Sequence, residues 1–242
     1  NDPALADRIE LRDGETNLFD VLGIEDDINA ALSRKVWLKS GAYLVIDQTE
    51  ALVSIDVNTG KNVGKASLRK TIAETNCEAA VEIARQLRLR DLSGIIIIDF
   101  IDMEEKEDKE TVLATLREAL RGDRMRSVIL GMTELGFVEL TRKKLRANLA
   151  DTLQTTCPYC KGSGKVLNAE TVALKIRSAL IARVSEGAGA QQRFTVAASP
   201  TVAALLREHS REELRQAFPG VTLEIVSDES MHLEHFSIRT QA

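Results

Sequence analysis

The chain has 242 residues, 44% hydrophobic and 29% charged, with a formal net charge of −5, which suits a globular protein of one large or two modest domains. No apolar run approaches the roughly 18 residues of a membrane span, and Asn1-Asp2-Pro3 has no basic segment or apolar stretch behind it, so we expect no membrane span, no signal peptide and a cytoplasmic location. Three cysteines rule out a disulfide framework, and a start on Asn rather than Met points to a piece excised from something longer.

In chain order, Arg8-Ile9-Glu10-Leu11 reads as a short strand, Asp13-Gly14 as a turn, and about 20–32 as a helix, with Val36-Trp37-Leu38 and Gly41 closing that piece. Tyr43-Leu44-Val45-Ile46-Asp47 and Ala51-Leu52-Val53-Ser54-Ile55-Asp56, split by Gln48-Thr49-Glu50, predict a β-hairpin. From 67 to 92 apolar residues recur at helical spacing (Leu68, Ile72, Ala79, Ala80, Ile83, Ala84, Leu87) before Asp91-Leu92-Ser93-Gly94 stops the helix. Ile95-Ile96-Ile97-Ile98 then delivers Asp99, so strand, helix and strand form an α/β unit.

A second amphipathic helix is expected over 107–123, followed by strands at 127–130 and 137–140 and a boundary over the polar segment 148–156. Beyond it we expect a helix at 169–185, a linker 187–190, a strand at 194–197, a helix at 200–217, and strands at 221–226 and 235–239. These last elements make a small α+β domain without evident chemistry of its own. The acid is concentrated in residues 2–27. Lys61, Lys65, Arg69, Lys70, Arg85, Arg88, Arg90, Arg117, Arg121, Arg124, Arg126, Arg142, Lys143, Lys144 and Arg146 form basic clusters around the acidic strand ends, an arrangement suited to an anionic polymer. The plainer reading of each is a solvated helix face.

Asp56 and Asp99 each stand where an apolar run ends, the position from which a side chain enters the crevice at the carboxyl edge of an open sheet. Two carboxylates close together suit Mg²⁺, which lowers the pKa of a bound water and steadies charge on a phosphate. Asn58 lies on the same face two residues on, while an isolated Asp at a strand end is more simply a turn former or helix cap. Cys77, inside a helical pattern, reads as a small buried residue. Tyr43, Phe100 and Phe137 read as core residues, and Gly60-Lys61-Asn62-Val63-Gly64-Lys65 as a basic loop able to touch phosphates.

Cys157-Pro158-Tyr159-Cys160-Lys161-Gly162-Ser163-Gly164 has the thiolate spacing that grips one edge of a Zn²⁺, its glycines letting backbone amides turn towards the sulfurs. Zinc needs four ligands, and His209, His232 and His235 show no ligand spacing, although the last two could meet on one side of a turn. Two chains each giving one CxxC would complete a Cys₄ site. A redox CxxC is the rival, but it favours a helix start after a strand.

The stretches Gln48-Thr49-Glu50-Ala51-Leu52, Ser54-Ile55-Asp56-Val57-Asn58-Thr59-Gly60, 83–92 and Ile97-Ile98-Asp99-Phe100-Ile101-Asp102-Met103 closely resemble the catalytic region of the ribonuclease E/G family, from about Arg8 to Lys165. The resemblance implies an α/β (α+β) fold. Residues 1–40 would end an RNase H-like subdomain, 41–148 form a DNase I-like catalytic subdomain, 149–167 a zinc-knuckle link and 168–242 a small α+β dimerisation domain. It implies Mg²⁺ at Asp56 and Asp99, assistance from Asn58, and Arg126 at the substrate phosphate. It also implies a zinc shared through Cys157 and Cys160 of a homodimer, with a homotetramer left open. Asp102 would lie behind the metal ligands or cap the following helix. The implied activity is hydrolytic endonuclease cleavage of single-stranded RNA in RNA processing, rRNA included, leaving 5′-phosphates. The alternatives are an RNA-binding scaffold without turnover, because nothing here resembles the family's substrate-capture domains, and a different Mg²⁺ phosphoesterase.

Overall fold

The computed structural model describes residue 8 and residues 17–60, 68–186, 192–210 and 220–241. It divides into two compact units, 1–154 and 155–242. In the first, helices α1 (Leu18–Val21) and α2 (Ile24–Leu32) precede strands β1 (Lys35–Trp37), β2 (Tyr43–Gln48) and β3 (Leu52–Asn58). Helix α3 (Leu68–Leu89), strand β4 (Gly94–Asp99), helix α4 (Lys106–Leu120), strands β5 (Ser127–Met132) and β6 (Phe137–Arg142), and a short α5 (Leu149–Leu153) complete it.

The six strands form one mixed sheet in the order β1-β2-β3-β4-β6-β5. Only β3 and β4 run parallel among its described neighbours, and the helix α3 that joins them supplies the crossover a parallel pair needs. Strict alternation sorts the side chains: Val53, Ile55 and Val57 of β3 and Ile96 and Ile98 of β4 are buried with Val138 and Leu140. They pack with Ala79, Ala80, Ile83, Ala84 and Leu87 of α3 and Val112, Leu116 and Leu120 of α4 in one apolar cluster. Each fully buried aliphatic side chain in such a cluster is worth about 1.5–3 kcal/mol over its exposed form. The odd positions of the same strands, Leu52, Ser54, Asp56, Ile95, Ile97 and Asp99, therefore share the sheet's other face, where Ile95 stays 51% exposed.

The second unit holds α6 (Ala169–Glu186), β7 (Gln192–Ala198), α7 (Pro200–Leu205), β8 (Val221–Ser227) and β9 (Phe236–Gln241). Its sheet order is β8-β7-β9, with β7 and β8 parallel and β9 antiparallel. Its own core gathers Val172, Ile176, Leu180, Phe194, Val196 and Val202.

Several expectations need correction. The helix expected over 20–32 is two helices, broken where Gly23 takes φ 68°, a left-handed conformation that glycine adopts without strain. Residues 35–37 form an edge strand on β2 instead of a helix end. The helix expected at 200–217 is α-helical only to Leu205 and continues as a π-helical turn, Leu206–Ser210. The strand expected at Arg8-Ile9-Glu10-Leu11, the Asp13-Gly14 turn, the basic loop beyond Gly60, the linker 187–190 and residues 211–217 lie outside the described residues, Arg8 apart. Of the aromatics read as core, Phe100 is buried, whereas Tyr43 and Phe137 are half-buried. Lys35 Nζ lies 3.5 Å above the Tyr43 ring. Cys77 is half-buried against the core, its sulfur accepting from Thr115 Oγ1 at 3.6 Å.

Candidate metal centre

Asp56 and Asp99 are direct register partners across the parallel β3–β4 pair. Both are exposed on the face away from the helices, and neighbouring strands lie about 4.8 Å apart. Parallel strands end at the same edge of a sheet, so the crossover through α3 is what brings two carboxylates separated by 43 positions together, as the numbering shows (99 − 56). Asn58 Nδ2 donates to Asp56 Oδ2 at 2.7 Å, which fixes that carboxylate and leaves its other oxygen available.

The carboxyl of Asp99 is pushed above its ordinary range, by partial desolvation first and then by the negative charges of Asp56 and Asp102. Neither Asp56 nor Asp99 has a cationic side-chain partner among the described residues. Asp102 therefore joins the acidic group electrostatically. It is not the cap of α4, because that helix begins at Lys106 with Glu105 at its N-cap position. Asp102 also lines a pocket of about 230 Å³ with Leu68, Arg69, Ile72, Met103 and Asp108, among others.

The loop that follows β4 is held from behind. Phe100 is buried, and the side chain of Asn76 on α3 makes two hydrogen bonds to the backbone of Ile101. Its Nδ2 donates to the Ile101 carbonyl at 2.8 Å and its Oδ1 accepts from the Ile101 N–H at 3.1 Å. Sequence reasoning passed over Asn76. The signal was present, since 76 falls on the same helical stripe as 79, 80, 83, 84 and 87, where every other residue is apolar.

Arg126 lies elsewhere. It precedes Ser127, which pairs with Arg142, which in turn pairs with Gly94 at the opposite end of β4 from Asp99. Five residues of strand separate those ends, about 17 Å. There a cleft of about 500 Å³ is lined by Arg117, Arg121, Arg126 and residues of the 120–129 segment.

The basic residues do not form one ring around the acidic group. Arg69 pairs with Asp108, Lys70 with Glu74, Arg85 with Glu82 and Arg121 with Glu118. Arg90 and Arg142 are buried and serve the fold, Arg90 bonding Gln86 and Arg142 pairing with Asp91 and Asp123. Lys61 and Lys65 are outside the described residues. Arg117, Arg124, Arg126, Lys143 and Lys144 are exposed and make no ion pair among the described residues.

In the second unit, Cys157 and Cys160 sit in a tight turn in which Lys161 and Gly162 both have positive φ. The Cys160 thiol is pulled below its usual range by the backbone N–H groups of Gly164 and Gly162, with a further hydrogen bond from Cys157. Sulfur that receives amide hydrogen bonds is prepared to carry charge, as a metal thiolate must. The turn precedes α6 and is not the junction of a strand and a helix, which weakens the redox reading. His232 and His235 do meet, with ring centroids 5.0 Å apart. Both nitrogens of His232 are engaged, however: Nε2 lies 2.7 Å from the Tyr159 carbonyl and Nδ1 3.1 Å from the Glu234 N–H. A carbonyl only accepts and an amide N–H only donates, so His232 is the neutral Nε2–H tautomer, with no lone pair left for a metal. Among the described residues no group of three or more His, Cys, Asp or Glu side chains is arranged to hold a metal.

Residues 1–145 match the ribonuclease E/G family, and residues 156–241 match the thioredoxin-like domain of RNase E/G. The chain is 44% identical to ribonuclease G of Haemophilus influenzae over 239 residues, 98% of this chain and 48% of that protein. It is 43% identical to ribonuclease G of Escherichia coli K12, again over 98% of this chain and 48% of that protein. Against ribonuclease E of Escherichia coli K12 the identity is 38%, over 98% of this chain and 22% of the relative. The chain thus spans about half the length of the ribonuclease G relatives it matches. A mixed α/β unit with two facing acidic strand ends, a second unit of thioredoxin-like type and these identities along nearly its whole length place the chain in the ribonuclease E/G family.

Proposed function

We propose that this chain carries the metal site of a Mg²⁺-dependent endoribonuclease, which hydrolyses single-stranded RNA and leaves 5′-phosphate products in cytoplasmic RNA processing and decay. The observation that carries this reading is the register pairing of Asp56 with Asp99, two carboxylates with no cationic partner among the described residues, at the shared edge of the parallel strands. Mg²⁺ is commonly held by one or two carboxylates plus waters and substrate phosphate, so this donor set fits it. Bound there, the ion would acidify a water and offset charge on the scissile phosphate. The chain's own residues do the rest. Asn58 holds the Asp56 carboxylate in orientation, and Asp99 stays fixed by the strand pairing beneath it. Arg126, at the other end of β4, would grip a backbone phosphate away from the scissile bond.

In this reading residues 41–148 are a DNase I-like catalytic subdomain and 1–40 close an RNase H-like one. Cys157 and Cys160 hold a zinc together with the same pair of a second copy, since two thiolates are half of a tetrahedral set. Replacing both cysteines with serine should release zinc and yield monomer. A double variant that keeps the parent's dimer mass by light scattering would remove the shared site, and the parent's own mass separates dimer from tetramer.

The deciding assay is cleavage of a fluorescent, 5′-monophosphorylated single-stranded RNA in Mg²⁺ or EDTA by the parent and by Asp99→Asn. Mg²⁺-dependent cleavage that falls on the order of 10³-fold in the variant is expected, the several kcal/mol a catalytic metal supplies. A second reading is an RNA-binding scaffold with weak turnover. RNA binding with no cleavage would establish that one instead.

A further inference from the structure

We propose that Asn76 is a positioning residue for the metal site, holding the Asp99–Asp102 segment in shape from the far side of the sheet; this rests on the metal-site reading above. The β4–β6 ladder ends at the pair Asp99 and Phe137, so the peptide groups beyond it have no neighbouring strand. Ile101 lies between Asp99 and Asp102, and both of its backbone groups are taken by one side chain, Asn76. An asparagine amide offers one donor edge and one acceptor edge, as a neighbouring strand would, and so continues the sheet's pairing two residues past its end. Asn76 itself is fully buried on the core stripe of α3, among Ala79, Ala80 and Ile83. A buried polar group at such a position is costly unless both edges are satisfied, and among the described residues the two backbone atoms of Ile101 satisfy them.

The consequence is mechanical. Helix α3 already brings β3 and β4 side by side as their crossover. Through Asn76 it also sets the path of the chain after Asp99, and hence the placement of Asp102, whose charge acts on Asp99. Neither aspartate touches Asn76, and its effect reaches them only through the backbone of residues 99–102. No other buried polar side chain of α3 could substitute, because Thr75 projects about 100° round the helix from Asn76, and Gln86 is occupied with Glu82 and Arg90.

The test titrates Mn²⁺ into the metal-free full chain and follows the loss of its free-ion electron-spin signal. The expected result is that Asn76→Ala weakens Mn²⁺ binding about tenfold or more, the scale of effect of groups that orient metal ligands, and that Asp99→Asn abolishes it. Ile83→Val, which trims the same helix without touching the loop, should keep the parent's affinity even where its melting temperature falls as far. A folded Asn76→Ala with parental affinity overturns the proposal. If Asn76→Ala does not fold, Asn76→Asp takes its place: it keeps the volume and the acceptor for the Ile101 N–H, loses the donor, and should bind Mn²⁺ more weakly; parental affinity in it also overturns the proposal. In the parent, the Ile101 amide should be protected from hydrogen exchange, and exchange at the rate of an open loop would overturn the clamp whatever the variants do. A parent chain whose Mn²⁺ binding is unchanged by Asp99→Asn would instead sink the metal-site reading, and the role given to Asn76 with it.

Discussion

Two groups of carboxylates sit at opposite ends of one sheet and receive opposite treatment. At the carboxyl edge of β3 and β4, Asp56 and Asp99 face one another with no cationic side-chain partner among the described residues, and Asp99 is pushed up in pKa. At the other end, Asp91 and Asp123 enclose Arg142, whose side chain is 3% exposed, with bonds of 2.9 Å and 2.7 Å. There both carboxyls are held below their ordinary range: partial burial opposes this, and hydrogen bonds from Arg146 and Arg142 to Asp91, and from Arg142 to Asp123, prevail. The buried group is complete in itself and can only stabilise. The exposed group is incomplete, and its repulsion falls when a cation arrives. Partnering, more than residue type, separates the structural acid from the ligand-binding one.

The sharpest way to break this contrast is to remove one carboxylate from each group. Asp123→Ala strips Arg142 of its most enclosed partner and of the acceptor for the Met125 N–H. Arg142 keeps Asp91 and the Leu92 carbonyl, so the loss should approach but not exceed the roughly 3–5 kcal/mol of a broken buried pair, read as a lower urea midpoint with an unchanged slope. Asp99→Asn, in metal-free buffer, should leave the midpoint unchanged or raise it, because it deletes a repulsive charge. Equal destabilisation by the two substitutions would mean that the strand-end pair is also structural.

A smaller effect is expected at the exposed end from Gly60→Ala. Gly60 has φ 62°, and a Cβ there would lie 2.3 Å from the Gly41 carbonyl oxygen, a backbone atom that cannot swing aside. The substitution should cost about 1–3 kcal/mol in local strain. It should also weaken Mn²⁺ binding, because Asn58 and Asp56 stand two and four residues before the displaced turn. Stability and metal affinity that both match the parent would show the strand end to be looser than its packing indicates.

The acidic pair was legible in the sequence because two signals coincided. Val53, Ile55 and Val57 alternate, and Ile95 to Ile98 form an unbroken apolar run, so each segment announces both its strand and the acid near its open end. The buried network was not legible. Arg142 and Arg90 look like any other basic residues, and only the antiparallel pairing of β4 with β6 carries Arg142 to the Leu92 carbonyl and Asp91. Arg126 was assigned to the substrate phosphate through the family resemblance alone; the register of β5 puts it at the far edge of the sheet from Asp99. Asn76 was missed for a different reason. An apolar-period search records where hydrophobic residues recur and is silent about a polar residue that fills a core position by satisfying distant backbone.

The finest test of the contrast is its pH dependence. Asp91 and Asp123 have folded pKa values below the ordinary aspartate value of about 3.9. Their contribution to stability is therefore fully present above about pH 4 and lost as pH falls through the folded values. Asp99 is shifted the other way. It favours the folded state below about pH 4, and that contribution disappears as pH rises through its folded value. At neutral pH with EDTA, Asp123→Asn should thus be less stable than the parent and Asp99→Asn slightly more stable, the latter by under about 1 kcal/mol at such an exposed site. Both differences should shrink in acid, that of Asp99→Asn at higher pH because its folded pKa is raised, and that of Asp123→Asn only as pH falls through its lowered folded value. Two difference curves of opposite sign that converge in acid would assign the paired and unpaired carboxylates to their separate roles. Curves of the same sign would mean that Asp99 is stabilised by a partner other than a metal.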